Sequence, residues 1–208
     1  GTLWTWGYNG WVGGLGNNSP DKANRSSPIQ VPGGTWRSVA GSAGAMFATK
    51  VDNTLWSWGQ GSHGALGHNN DNAYSSPRQV GIAHDVSTSD VYSTTPGHLA
   101  TAGQTVASIR TDGSLWMWGT GEYGILAQNS QVKYSSPIQV GESKNWSNVG
   151  MTPRSTHAIK TDGTMWVWGS NMDGRLGLNE AEAPGALGRS SPTEIHGGGT
   201  NWETVVGR

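Results

Sequence analysis

The chain has 208 residues, 13 basic and 14 acidic side chains, a net charge of −1, 12 Trp, 33 Gly and no Cys. Charged residues are 13% of the total, about half the ~25% of an ordinary globular domain, and no run of five basic residues occurs. That excludes the clustered cations of nucleic-acid binding or a polybasic membrane surface, while the lack of Cys excludes disulfides, thiolate catalysis and Cys metal sites; no apolar stretch reaches the roughly 18–20 residues of a membrane-spanning helix.

Four copies of Trp-x-Trp-Gly punctuate the chain at Trp4–Trp6–Gly7, Trp56–Trp58–Gly59, Trp116–Trp118–Gly119 and Trp166–Trp168–Gly169. Their offsets of 52, 60 and 50 residues give a period near fifty, the mark of a repeat array. The units run approximately over 1–50, 51–110, 111–160 and 161–208. No single unit buries both of its faces alone, so they are expected to form one array. Gly1 falls inside a unit, so it reads as a processed end or a cut through a longer polypeptide.

Within a unit, the first pair of strands surrounds Asp112-Gly113, matched by Asp52-Asn53 and Asp162-Gly163. Asp-Gly between β-prone runs predicts a hairpin with a type I′ turn, left-handed at both central residues. In the strand that follows, Trp116 and Trp118 point to one face and Leu115 and Met117 to the other. Both faces are apolar, so each small sheet is expected to be covered on both sides by neighbouring blades. The Trp pairs are read as blade-to-blade packing.

A Gly-spaced loop comes next, Gly119-x-Gly121-x-x-Gly124-x-Leu126, with Gly59-x-Gly61-x-x-Gly64-x-Leu66 as its match. The spacing imitates a dinucleotide fingerprint, but it recurs in a β repeat with no helix after it, so it is read as turn geometry. Ser-Ser-Pro then recurs at Ser26–Pro28, Ser75–Pro77, Ser135–Pro137 and Ser190–Pro192. Proline cannot donate to a ladder, which places this segment on a blade's outer edge. The last strand carries Trp and Val three apart, at Trp36/Val39, Trp146/Val149 and Trp202/Val205. The second unit lacks this Trp, and its longer stretch 82–102 is read as an insertion suited to specialised contact. The chain is expected to open at the third strand of one blade and to close with the first strand of another, over residues 202–206.

Together these elements resemble the repeat of the regulator of chromosome condensation family, Asp-Gly-x-Leu-Trp-x-Trp-Gly followed by a Gly-spaced loop, a Pro-x-x-Val strand and a Trp-x-x-Val strand. The resemblance covers essentially the whole chain. It implies an all-β fold, a β-propeller of four-stranded antiparallel blades, commonly seven, with the repeat offset from the blade. Four repeats are present, so a part of a larger propeller or larger protein is expected. The family's founding nuclear member exchanges nucleotide on a small GTPase and binds chromatin through a basic tail and a wedge, and nothing here matches the tail. Gly197–Trp202, Ser-Ser-Pro-Ile-Gln-Val and Lys160–Gly169 are similar to bacterial and phage-encoded repeats of this family, found in long secreted, surface or virion proteins.

The candidate site residues are those that differ between copies on the Gly-spaced loop: Tyr8, Trp11, His63, Tyr123, Asp173 and Arg175. Exposed aromatic and charged loop residues on a rigid scaffold suit contact with protein or glycan; the alternative is that they cap the loop or meet the next blade. Among the six His residues (His63, His68, His84, His98, His157, His196), only His63 and His68 have a spacing that invites a metal, and no partner recurs beside them. His157 takes a strand position held by Phe47 and Ala107 in other units, which reads as packing. Asp52, Asp112 and Asp162 recur in every full unit and are read as turn residues; catalytic carboxylates would be singular. No catalytic residue, metal or cofactor is therefore expected.

The sequence favours a non-enzymatic propeller module, a structural or adhesive part of a larger virion or cell-surface protein, such as a tail fibre, decoration or receptor-binding component. Its expected partners are a protein or surface glycan and other subunits of the assembly, with no nucleic acid and no membrane insertion. The alternative is a regulatory protein-binding module such as a guanine-nucleotide exchange factor for a small GTPase. An enzymatic reading would need a singular cluster of acids or His in the propeller mouth.

Overall fold

The Asp-Gly hairpins set the architecture, and their geometry differs from the expected one. Lys50 N–H donates to Thr54 O (3.0 Å) and Asn53 N–H to Lys50 O (3.0 Å). Only Asn53, Gly113 and Gly163 are left-handed, at φ 65°, 80° and 78°, so the loop has three residues: a type I turn closed by one left-handed residue. The acid explains why. Asp112 Oδ1 accepts from Ser114 N–H (3.0 Å) and from the Ser114 hydroxyl (2.6 Å), an Asx turn that needs no positive φ at Asp. The Ser114 oxygen in turn accepts from the Trp116 indole at 2.8 Å, and Asp52–Thr54–Trp56 and Asp162–Thr164–Trp166 repeat the relay.

The computed structural model of the chain describes residues 1–10, 13–19, 23–81, 98–179, 188–196 and 199–205. Fourteen strands form four antiparallel sheets among the described residues. The first sheet pairs β1 (Trp4–Gly7) with β2 (Arg25–Gln30). The second runs in order β3 (Trp36–Ser42), β4 (Ala45–Lys50), β5 (Leu55–Gly59), β6 (Tyr74–Gln79). The third is β7 (Leu99–Ala102), β8 (Thr105–Ile109), β9 (Leu115–Gly119), β10 (Tyr134–Gln139), and the fourth β11 (Trp146–Thr152), β12 (Ser155–Lys160), β13 (Met165–Gly169), β14 (Arg189–Glu194). The fold is all-β and its sheets are the blades of a propeller.

The first strands β3, β7 and β11 lie side by side, so they form the inner wall, and the Ser-Ser-Pro strands form the outer edge. Beside Pro77 the β5–β6 register shifts between Ser57 and Gly59, as expected where one residue cannot donate to the ladder. Each four-stranded sheet begins with the end of one sequence unit and finishes with the start of the next. Leu99–Ala102, placed by the sequence inside an insertion, is instead the inner strand of the third sheet; residues 82–97 of that stretch lie outside the described residues. Residues 201–205 form no ladder, unlike the strand expected there.

The core lies between sheets. Phe47, Leu55, Leu66 and Val80 of the second sheet pack with Val106 and Trp118 of the third, and Ile125, Leu126 and Met117 of the third with Trp168, Val149 and Ala158 of the fourth. Trp58, Trp118 and Trp168 are fully buried, each ring removing on the order of 150–250 Å² of surface from water.

Candidate interaction surface

Neighbouring blades are joined by one device used three times. The indole N–H of Trp58 donates to Gly14 O (3.0 Å), that of Trp118 to Ala65 O (2.8 Å) and that of Trp168 to Ile125 O (2.7 Å), in each case a carbonyl of the preceding sheet's Gly-spaced loop. A few residues on, Asn18, Asn69 and Asn129 donate backbone N–H to Ser75, Ser135 and Ser190 O at 2.7–2.8 Å. These three Asn residues are left-handed, at φ 55°, 58° and 52°, a conformation Asn tolerates better than most residues. The recurrence of Asn was visible in the sequence; its partner, on the next blade, was not.

Three of the candidate contact residues crown the same loop. A one-turn 3₁₀ segment covers Ser62–Gly64, Glu122–Gly124 and Met172–Gly174, and its central residue is left-handed: His63 at φ 57°, Tyr123 at 59°, Asp173 at 58°. Holding a residue with a Cβ there costs about 1–2 kcal/mol, which the surrounding joint offsets. All three side chains are exposed, and they do different things. His63 Nδ1 bonds Gln104 Oε1 in the β7–β8 turn of the next sheet. Tyr123 lies under the Arg154 guanidinium of the β11–β12 turn, 5.3 Å from its centroid. Asp173 keeps to its own loop, paired with Arg175 at 3.0 Å, while Arg175 Nε donates to Met172 O at 2.7 Å. Tyr8 is 70% exposed. Trp11 lies outside the described residues.

The two closely spaced His residues turn to different partners. Ser57 Oγ donates to Leu66 O (2.7 Å), which leaves its lone pair for His68 Nε2 at 2.9 Å. Burial, then the nearby Arg78 charge, pushes His68 down to about 4, so it is neutral at physiological pH. His157 sits where Phe47 and Ala107 sit, opposite Val167, with Nε2 3.3 Å from Arg175 O, and burial lowers its pKa. Asp112 is held down to about 2, first by the Ser114 hydroxyl, a role in turn closure. Among the described residues no group of three or more His, Asp or Glu is placed to hold a metal ion. The eight repeated Trp side chains divide by place: Trp58, Trp118 and Trp168 are fully buried, Trp56, Trp116 and Trp166 half-buried, and Trp4 and Trp6 exposed.

The family model of the regulator of chromosome condensation (RCC1) repeat matches residues 52–93 and 112–151. Among solved structures, Prp20p from Saccharomyces cerevisiae superposes with a TM-score of 0.71 at 19% identity, over 94% of this chain and 46% of that one. Yeast RCC1 (Prp20) bound to Kap60 gives 0.70 at 18%, over 94% and 44%, and human WBSCR16 gives 0.68 at 20%, over 88% and 44%. The chain thus spans under half the length of each of these structures, and at these identities the likeness concerns the fold. With hairpin, indole joint and Gly-spaced loop recurring at the matched positions, residues 52–93 and 112–151 are repeats of the regulator of chromosome condensation (RCC1) type, in a chain folded as blades of a β-propeller.

Proposed function

We propose that this chain is a non-enzymatic protein-binding module, a structural or adhesive part of a larger virion or cell-surface assembly. The observation that carries the reading is the display of Tyr8, His63, Tyr123 and Asp173, exposed side chains that differ between copies, on equivalent loops of successive blades. Loops on a rigid scaffold are where binding residues concentrate. The acids that recur are absorbed by turns and the recurring Ser residues by joints, as Asp112 and Ser135 illustrate. A protein partner or surface glycan is the ligand class this face suits. Mass spectrometry of purified particles and of the surface fraction from the source would test it: recovery in either supports the reading, and recovery only as a free cytoplasmic product overturns it.

A second reading is favoured by the likeness to Prp20p, which is described as binding Gsp1p and histones. In it, the module engages a small GTPase as an exchange factor. The net charge of −1 gives no support for a histone- or nucleic-acid-type partner. Nucleotide release from a small GTPase separates the two readings: no acceleration is expected, and clear stimulation would put the second reading first.

A further inference from the structure

The joint between the second and third blades holds a polar pocket. Its volume is about 200 Å³, and its walls include His68, Asn70, Tyr74 and Arg78 of the second blade and Ser136 and Pro137 of β10. Both sheets that border it carry four strands. Two of these side chains are particular to the second copy: His68 stands where Asn17, Gln128 and Leu178 stand, and Arg78 where Ile29, Ile138 and Thr193 stand. In the third copy Gln128 Nε2 turns back on its own blade, donating to Leu126 O (3.2 Å) and Gln139 O (3.0 Å), and Ile138 brings no charge. The scaffold therefore does not need the His68–Arg78 pair.

Both residues leave a polar group for an occupant. Arg78 lays its guanidinium over the Tyr74 ring, 3.9 Å from the centroid, which covers one flat face and leaves the N–H edge. Among the described residues no carboxylate pairs with it. His68 meets the same ring edge-on, with centroids 5.3 Å apart. Its Nε2 is bonded to Ser57 Oγ, whose own hydrogen goes to Leu66 O, so Nε2 carries the proton and Nδ1 is an acceptor. No protein donor among the described residues takes that lone pair. Asn70 is already engaged: it donates to His68 O (2.8 Å) and accepts from Asn72 N–H (2.9 Å) and the Tyr74 hydroxyl (3.3 Å). It fixes the wall, and the cation and the acceptor stay open.

We infer that this pocket binds a sugar acid, a small polyhydroxy carboxylate, either free or as a uronic acid unit of a glycan. The guanidinium edge takes the carboxylate as a bidentate, charge-assisted pair, and His68 Nδ1 accepts from a neighbouring hydroxyl. A simple carboxylate satisfies only the first group and a neutral sugar only the second. Both groups stand against one tyrosine ring, so an occupant the size of one sugar unit reaches both. The volume suits that size, being below the ~300–1,000 Å³ that drug-sized ligands fill. Among the described residues the pocket shares no wall with the crests at Tyr8, His63, Tyr123 and Asp173, so its failure would leave the proposed function as it stands.

Titration of the 208-residue chain with D-glucuronate, followed through the backbone amide NMR signals of residues 67–79, tests this. Saturable binding is expected with a Kd on the order of 1 mM, and D-glucose, acetate and phosphate should each bind at least about tenfold more weakly. These comparisons use the unaltered chain, so misfolding cannot imitate them. Methyl glucuronide offered beside the free acid separates the two sources. Equal or tighter binding of the glycoside assigns the pocket to a glycan, and tighter binding of the free acid to a soluble sugar acid. Arg78→Ile, the residue of the third copy, should weaken glucuronate about tenfold or more, and His68→Leu, the residue of the fourth, about threefold. Failure to saturate at tens of millimolar glucuronate would overturn the inference. So would equal binding of glucose, acetate or phosphate, shifts confined to other parts of the chain, or undiminished binding by Arg78→Ile.

Discussion

The first sheet and the three that follow contain the same Trp-x-Trp-Gly pattern in opposite circumstances. Trp6 is 62% exposed, while Trp58, Trp118 and Trp168 are fully buried. Nothing in Trp-x-Trp-Gly distinguishes them; the neighbour does. Each buried indole is covered by the Gly-spaced loop of the sheet before it, and no such loop covers Trp6 among the described residues. The fourth sheet is the mirror case. Its loop ends in Gly174, around which a Cβ would meet open space, whereas Gly13, Gly64 and Gly124 abut Ser75, Ser135 and Ser190 of the next sheet. The repeat therefore has a direction: each blade covers the next one's tryptophan, so burial is a property of the joint.

The sharpest way to break that comparison is to remove the ring on both sides of it. Trp118→Ala should cost about 3–5 kcal/mol, since it leaves a cavity and strands the Ala65 carbonyl, and Trp6→Ala less than about 1 kcal/mol. Urea unfolding of the two variants measures the gap; equal losses would mean that the indole joint does not hold the blades. Glycine offers a second cut through the same contrast. Gly124 and Gly174 share a left-handed conformation, φ 73° and 67°, but only Gly124 touches a neighbour, the Ser190 backbone. Gly174→Ala should lose only the conformational term of about 1 kcal/mol. Gly124→Ala adds a backbone collision and should lose at least about 2 kcal/mol more, read by the same unfolding curves.

Features set within one strand were legible in the sequence, and features set between blades were not. Alternation told that Trp118 and Met117 face opposite sides and that both are covered. Pro77 and its equivalents marked the outer strand because a missing donor is a local property. The hairpin was placed correctly, but its turn type was misread: Asp-Gly serves two loop geometries, and the Ser114 hydroxyl that selects the three-residue one lies outside the dipeptide. The inner strand Leu99–Ala102 escaped notice because it lacks the Trp-x-x-Val spacing of β3 and β11. The left-handed crest at Tyr123 had no local signal either, since Tyr does not favour that conformation, whereas His63 is of a residue type enriched in it. Both are held there by a loop whose glycines pack against the next sheet.

His68 gives a smaller, titratable version of the comparison. Asn17, Gln128 and Leu178 hold its position in the other copies, so only the second blade responds to pH there. Its folded pKa of about 4 lies below the ordinary 6.5 because burial, then Arg78, disfavour the cation. The unfolded chain thus binds the proton first. Its contribution is full above pH 6.5 and is lost as pH falls from 6.5 toward 4. At about 1.4 kcal/mol per unit, and with a partly exposed ring screened by water, the loss should reach on the order of 1–2 kcal/mol. His68→Gln, the residue of the third copy, should flatten that part of the Tm–pH curve. An unchanged slope would assign the acid sensitivity to His98 and His157, which burial also shifts downward.

The smallest expected effect separates the relay in the first sheet from its counterparts. Trp56 donates to Thr54 Oγ1 at 2.8 Å, and that hydroxyl donates to Asp52 at 2.6 Å. Trp4 donates to Thr2 Oγ1 at 3.0 Å, and among the described residues no carboxylate is bonded to that hydroxyl. Thr54→Val removes an acceptor from one indole and a donor from one carboxylate, in a turn whose backbone bond from Thr54 N–H to Asp52 survives. A loss of about 0.5–1 kcal/mol follows for a bond pair at the surface. Thr2→Val removes one exposed bond, and its cost should stay within about 0.5 kcal/mol. Asp52 sharpens the distinction, because the Thr54 hydroxyl is the first cause holding its pKa down. In Thr54→Val that carboxylate should titrate closer to its ordinary value, visible by NMR as a rise in the Asp52 midpoint. If the Asp52 midpoint stays where it was, the hydroxyl does not organise the turn, and the contrast between the first hairpin and the others rests on the tryptophans alone.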